Sequence, residues 1–271
     1  EACLVGSEMC IRDSPITHTQ IIEGESTIIE YHEPKGTKEK LSISINQLGY
    51  IFRGFEDYLS HFNSGKLNNL TKADPCQVDV ACSPENNGWS SQIDAVVHFT
   101  FIQQNYVYVC SASVINNTAQ DCTPYILTAW HCGDHTANQN LSGYTWYWNY
   151  QKTSCQPNNN GTNPSKGNET MVNGTVRSTS GSGTLNNPPG NNQLAGSDFT
   201  LIELSNNIPN SYNAYYAGWD RSNSSASSGV SIHHPAGSAK KISTFTSSLS
   251  NATYNGGCLL YTSPSPRDTL L

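Results

Sequence analysis

Charge is scarce in this 271-residue sequence: Asp, Glu, Lys and Arg together make up 13% of it, with only 14 Lys and Arg against 21 Asp and Glu. The net charge of −7 and the absence of a basic cluster leave nothing with which to neutralise phosphates, so nucleic acid is not an expected partner. No apolar run approaches the twenty or so residues that a membrane-spanning helix needs, and no membrane partner is expected. No long stretch carries a helical period and no repeat of solenoid length occurs. No Cys-x-x-Cys pair is present, and the only short Cys/His cluster is His131 and Cys132 with His135. A structural metal site is therefore not expected, nor is a cofactor.

The two ends are unusual. LVGSEMCIRDS (4–14) and CLLYTSPSPRD (258–268) can be encoded by opposite strands of one DNA segment, which resembles a sequencing-library adapter. We expect 1–14 and 258–271 to be adapter-derived artefacts and set them aside from fold reasoning. Natural sequence would run from Pro15 to Gly257 as a fragment of a longer protein, so neither an initiator methionine nor a signal peptide is expected. The ends hold two of the 14 bases and four of the 21 acids, so the balance between them is near −5. They also hold Cys3, Cys10 and Cys258, leaving Cys76, Cys82, Cys110, Cys122, Cys132 and Cys155. An even number of cysteines in a chain rich in Asn, Ser, Thr and Gly suggests disulfides and export to an oxidising compartment.

What remains divides by texture. Residues 15–72 are charged and cysteine-free, with β-like stretches in STIIEYHEP and KLSISINQLGYIF, and they end in the linker-like NSGKLNNLTKAD. Strand signals then fall at 93–102, 106–115, 125–130, 144–150, 198–204 and 230–234, rich in β-branched and aromatic residues and separated by Asn/Gly turns. A short strand is expected near Thr170–Ser178, within a loop-rich stretch from 156 to 196. Short strands with loops of very uneven length predict an antiparallel barrel or sandwich. In YTWYWNY, Trp146 and Trp148 could form a platform for sugar, but a barrel strand with aromatics on both faces is favoured. His233 and His234 are neighbours on a predicted strand and so face opposite sides, which disfavours a shared metal.

His131, in TAWHC, is by residue type a catalytic base, a metal ligand or a space-filler. The wider pattern is more specific. SASVINNTAQDCTPYILTAWHCG resembles the stretch of trypsin-type serine endopeptidases in which a Cys-bearing strand, a turn and a second strand lead into the base histidine. YWNYQKTSC, GSDFTLIELSN, YYAGWDRS and SIHHPAGSAKKIS follow in the order seen in the lysyl-endopeptidase-like secreted bacterial proteases. CQVDVAC resembles the start of their mature enzyme. The resemblance covers about 75–245. It implies an all-β fold of two antiparallel β-barrels of the trypsin type, the second incomplete in this chain, with the active site between them.

The same resemblance implies that His131 is the general base and Asp198 the carboxylate that orients it. The nucleophilic serine would sit in a Gly-x-Ser-Gly turn roughly 80 residues beyond the aspartate. Ser182 precedes Asp198 and Ser228 comes too early, so neither fits, and the chain as written is expected to be inactive. The disulfides implied are Cys110 with Cys132 and Cys82 with Cys155, the first contributing about 3 kcal/mol by restricting the unfolded chain. Cys76 and Cys122 are left either free or paired with each other. Residues 15–72 resemble the end of a propeptide, with cleavage expected near Lys72 or Ala73, and 73–257 would be the protease domain. The expected protein is a secreted, monomeric endopeptidase acting on protein or peptide substrates, with a preference for lysine inherited from the resemblance. Two other readings stay open: a protease-like protein that binds without cutting, and a secreted carbohydrate-binding or adhesion β module.

Overall fold

The computed structural model describes residues 2–4, 9–11, 28–29, 35–36, 44–45, 48, 77–103, 106–155, 169–180, 198–222, 224–254 and 257–262. The expected propeptide, apart from isolated positions, and its cleavage site lie outside these residues, as do Cys76 and Ser182. Two short hairpins, β1 (Ala2–Leu4) with β2 (Met9–Ile11) and β13 (Ser250–Tyr254) with β14 (Gly257–Thr262), form separate two-stranded sheets.

The main body is a seven-stranded antiparallel sheet built from β4 (Val96–Gln103), β5 (Tyr106–Ile115), β6 (Tyr125–Thr128), β7 (Tyr144–Trp148), β8 (Glu169–Val172), β9 (Thr175–Thr179) and β10 (Thr200–Glu203). Its strand order is β8-β7-β4-β5-β6-β10-β9. The two outermost strands are consecutive in the chain, joined only by Asn173 and Gly174, so the sheet must curl until its edges meet. The loop at 138–141 completes the closure. Asn138 N–H donates to the Val176 carbonyl at 2.9 Å, and Val176 N–H donates to the Gln139 carbonyl at 2.9 Å. Closure of this kind removes the unpaired edges that an open sheet would expose.

Alternation along the strands fills the barrel. Val97, Phe99 and Phe101 of β4 point into one core with Trp146 and Trp148 of β7 and Ile202 of β10. The Phe99 and Trp146 rings lie 4.6 Å apart. Trp146 is 0% and Trp148 1% exposed. The aromatic run is therefore a packed strand, and no face of either indole is left for a sugar. His98 and Tyr147 occupy the opposite faces of the same strands and are buried too, because a second unit covers them.

That unit is a three-stranded sheet in the order β11 (Gly229–His233), β12 (Lys241–Phe245) and β3 (Val78–Asp79). The helix α1 (Ser90–Ala95) contributes Ile93 to a small core with Val80 and Ile242. A buried ion pair between Lys241 Nζ and Asp79 Oδ1 ties β12 to β3. Every strand pair in the sheets is antiparallel. The antiparallel all-β class expected from the strand signals is thus the class observed.

Three details differ from the sequence expectation. The segment starting at Ile93 opens as the end of α1 and becomes strand only at Val96. The single strand expected near 170–178 is two, β8 and β9, which pair with β7 and β10 and not with each other. β12 carried no strand signal of its own.

Candidate active site

The barrel brings together two residues that lie 67 positions apart. β6 and β10 pair so that Thr128 faces Thr200 directly. In an antiparallel pair, three residues onward from Thr128 and two residues back from Thr200 emerge at the same end of the sheet. These are His131 and Asp198.

Asp198 binds His131 with both carboxylate oxygens. Oδ1 accepts the His131 backbone N–H at 3.0 Å, and Oδ2 lies 2.7 Å from Nδ1 of the imidazole. The Asp198 carbonyl also accepts the Trp130 N–H at 3.1 Å. This grip requires a sharp turn, and Asp198 has a φ of +48°, a left-handed conformation that aspartate tolerates better than most side chains. A carboxylate only accepts, so Nδ1 carries a proton, and in the neutral ring Nε2 keeps its lone pair. Among the described residues Nε2 has no hydrogen-bond partner. The side chains are 51% and 34% exposed, so the pair sits at the surface, open to a reacting group.

The loop that carries His131 is held from several sides. Cys132 is bridged to Cys110 of β5, with Cα atoms 6.3 Å apart. Cys82 is bridged to Cys155, with Cα atoms 4.5 Å apart. Cys122 has a free, exposed thiol. Beneath the loop, the Trp130 indole N–H donates to the His135 carbonyl at 2.9 Å. The buried His135 ring lies 3.1 Å from Thr200 Oγ1 through Nδ1 and 2.9 Å from the Tyr144 hydroxyl through Nε2. Burial lowers the His135 pKa to about 4, against an opposing pull from Asp134. Burial likewise raises that of Tyr144.

The remaining candidates are engaged elsewhere. Of the Cys/His cluster noted in the sequence, His131 is bound to Asp198, Cys132 is in a disulfide and both ring nitrogens of His135 have partners. Among the described residues no group of three or more His, Cys, Asp or Glu side chains is arranged to hold a metal ion. His234 is buried, with its ring Nδ1 donating to the Ser238 carbonyl at 3.0 Å. Ser228 lies on an exposed bend before β11. Thr200, Tyr144 and Gly133 escaped the sequence reading. In the sequence they are an ordinary strand threonine, strand tyrosine and turn glycine, and no spacing rule joins them to His131.

The described protein is thus a disulfide-bridged antiparallel β-barrel with a histidine–carboxylate pair at the end of one strand pair. Residues 70–264 match the family described as lysyl endopeptidase, C-terminal domain, and the chain belongs to this family of serine peptidases. It is similar to the lysyl endopeptidase of Pseudomonas aeruginosa, with 25% identity over 242 residues that cover 87% of this chain and 47% of that protein. The chain therefore spans about half the length of this curated relative. Among solved structures, one described as "Structure of GrC" aligns at 12% identity with a TM-score of 0.34, over 63% of this chain and 64% of that one.

Proposed function

We propose that the protein is a secreted serine endopeptidase in which His131 is the general base and Asp198 orients it, with residues 15–72 the C-terminal part of a propeptide, 73–257 the N-terminal barrel and part of the C-terminal barrel of the protease domain, and the two ends adapter-derived. One observation carries the proposal: Asp198 holds Nδ1 of an exposed imidazole at 2.7 Å, which leaves Nε2 outward as a base. A serine placed against Nε2 would pass its proton there as its oxygen forms a bond to the scissile carbonyl carbon. The carboxylate stabilises the imidazolium so formed, and Nε2 then returns the proton to the amine as the C–N bond breaks. That serine is expected beyond Gly257. No Gly-x-Ser-Gly occurs in the 271 residues, so this chain alone is expected to release no product. The two disulfides suit an oxidising, extracellular compartment. Cleavage after lysine is carried over from the relative.

The test is hydrolysis of lysyl peptide amides by the gene product extended past Gly257. His131→Ala is expected to lower kcat/KM by about 10⁴-fold or more, and Asp198→Asn by about 10⁴-fold. A loss under tenfold in either would reject these roles. An extended protein that folds but reacts with neither peptide nor organophosphonate would support the protease-like binding protein instead.

A further inference from the structure

We infer that His135 is a positioning residue for the His131–Asp198 pair, acting through Thr200 as the centre of a buried hydrogen-bond relay that fixes the turn at Asp198 relative to the loop at His131. The inference rests on the proposed roles of those two residues and concerns how their geometry is set.

The contacts fit one direction of donation. Thr179 Oγ1 donates to the Phe199 carbonyl at 3.3 Å, so as an acceptor it can take the Thr200 hydroxyl proton across 3.3 Å. Thr200 Oγ1 then accepts from His135 Nδ1–H, and His135 Nε2 accepts from the Tyr144 hydroxyl. Each group thus donates in one sense, from Tyr144 on β7 through His135 and β10 to the carbonyl of the residue that follows Asp198. Aligned hydrogen bonds of this kind reinforce one another in a buried setting. At its other side, His135 accepts the Trp130 indole N–H on its own carbonyl, and the Trp130 backbone N–H donates to Asp198. His135 therefore touches both segments that the 2.7 Å contact must hold together, yet it is 1% exposed and cannot reach a substrate. Only a neutral imidazole can donate on one side and accept on the other. The lowered pKa keeps it neutral wherever His131 would work as a base.

The relay is open to test in two ways. In the 271-residue chain, the far-downfield NMR resonance of His131 Nδ1–H reports the contact with Asp198 without any need for activity. In the extended enzyme, kcat and KM report its consequence. In Thr200→Val and His135→Phe, the resonance is expected to exchange faster with solvent, and kcat is expected to fall by up to about 10²-fold with KM changed less than about twofold. His135→Gln keeps a donor and an acceptor and should recover part of the loss. Should His135→Phe fail to fold, Thr200→Val keeps the ring and breaks only the link toward Asp198. An unchanged resonance and kcat in a folded Thr200→Val protein would overturn the relay and leave His135 as core. Absence of the resonance in the unsubstituted protein would instead count against the pair itself, which is the failure of the proposed function.

Discussion

Gly133 shows how much one backbone position can decide. Its φ is +136°, and a Cβ there would lie 2.1 Å from the Tyr144 hydroxyl and 2.7 Å from His135 Nε2. In the sequence it is only the last letter of TAWHCG. The fold uses it to let the chain pass over the Tyr144–His135 contact with no side chain between. Gly133→Ala combines a disfavoured φ with overpacking, each costing about 1–3 kcal/mol. Thermal unfolding should show Tm lowered by several degrees to more than ten, at about 2–4 °C per kcal/mol for a domain of this size. An unchanged Tm would mean that the loop relaxes freely and that the tight contact has no structural weight. His131 and Asp198 were accessible to sequence reasoning because each sits in a motif of distinctive order. Thr200 and Tyr144 were not, because both meet on His135, from 65 and 9 residues away in the sequence, and that meeting is set by how the barrel closes.

Among the elements, β5, β6 and β10 carry the site, and the Cys110–Cys132 bridge ties the loop after β6 back to β5. Replacing both cysteines by serine is expected to cost about 2–5 kcal/mol, read as a lower urea midpoint with a slope that is, if anything, steeper, because the unfolded chain without the crosslink exposes more surface. The same protein should show weaker protection of the His131 Nδ1–H, since the loop loses its covalent tie. An unaltered midpoint would show that hydrogen bonds alone hold the loop. Strand existence was largely legible: β4, β5, β6, β7, β10 and β11 all fall within or close to stretches of β-branched and aromatic residues. β12 was not, and the reason is specific. Lys240 precedes it and Lys241 opens it, and the pair reads as a polar surface. Yet Lys240 donates to the Ile93 carbonyl at 2.7 Å, and Lys241 pairs with Asp79. Both partners come from α1 and β3, 147 and 162 residues earlier, and leave no local trace. α1 was missed because six residues are too few to establish a helical period.

The molecule as a whole buries several groups that can carry positive charge where its two sheets meet. His98 on β4 stacks on Tyr150 at 4.7 Å and meets the His234 ring edge-on at 5.1 Å. Tyr147, His233, Lys240 and Asp94 complete the titratable surroundings. Burial lowers the His98 pKa to about 3, holds His234 well below its usual value and lowers Lys240 to about 7. In the unfolded chain the histidines titrate near 6.5 and the lysine near 10.5. Between each pair of values the unfolded state binds more protons, so stability falls with falling pH. The lysine contribution is complete above about 10.5 and declines down to pH 7. The His98 contribution is complete above about 6.5 and declines toward pH 3. Urea unfolding should therefore show a midpoint that drops steadily below pH 6.5, and His98→Phe should flatten that drop. A midpoint independent of pH from 6.5 to 4 in the unsubstituted protein would contradict the buried neutral state.

The sequence by itself determined the antiparallel all-β class, the cysteines available for bridging and the identity of the two polar residues whose motifs stood out, because side-chain alternation and short motifs are local properties of a chain. Tertiary structure alone decided that β8 and β9 close a barrel, that Lys240 and Lys241 are interior, and that His131 and Asp198 meet through Nδ1 with His135 beneath them. Those outcomes depend on the register between distant strands, and no window of neighbouring residues contains that register.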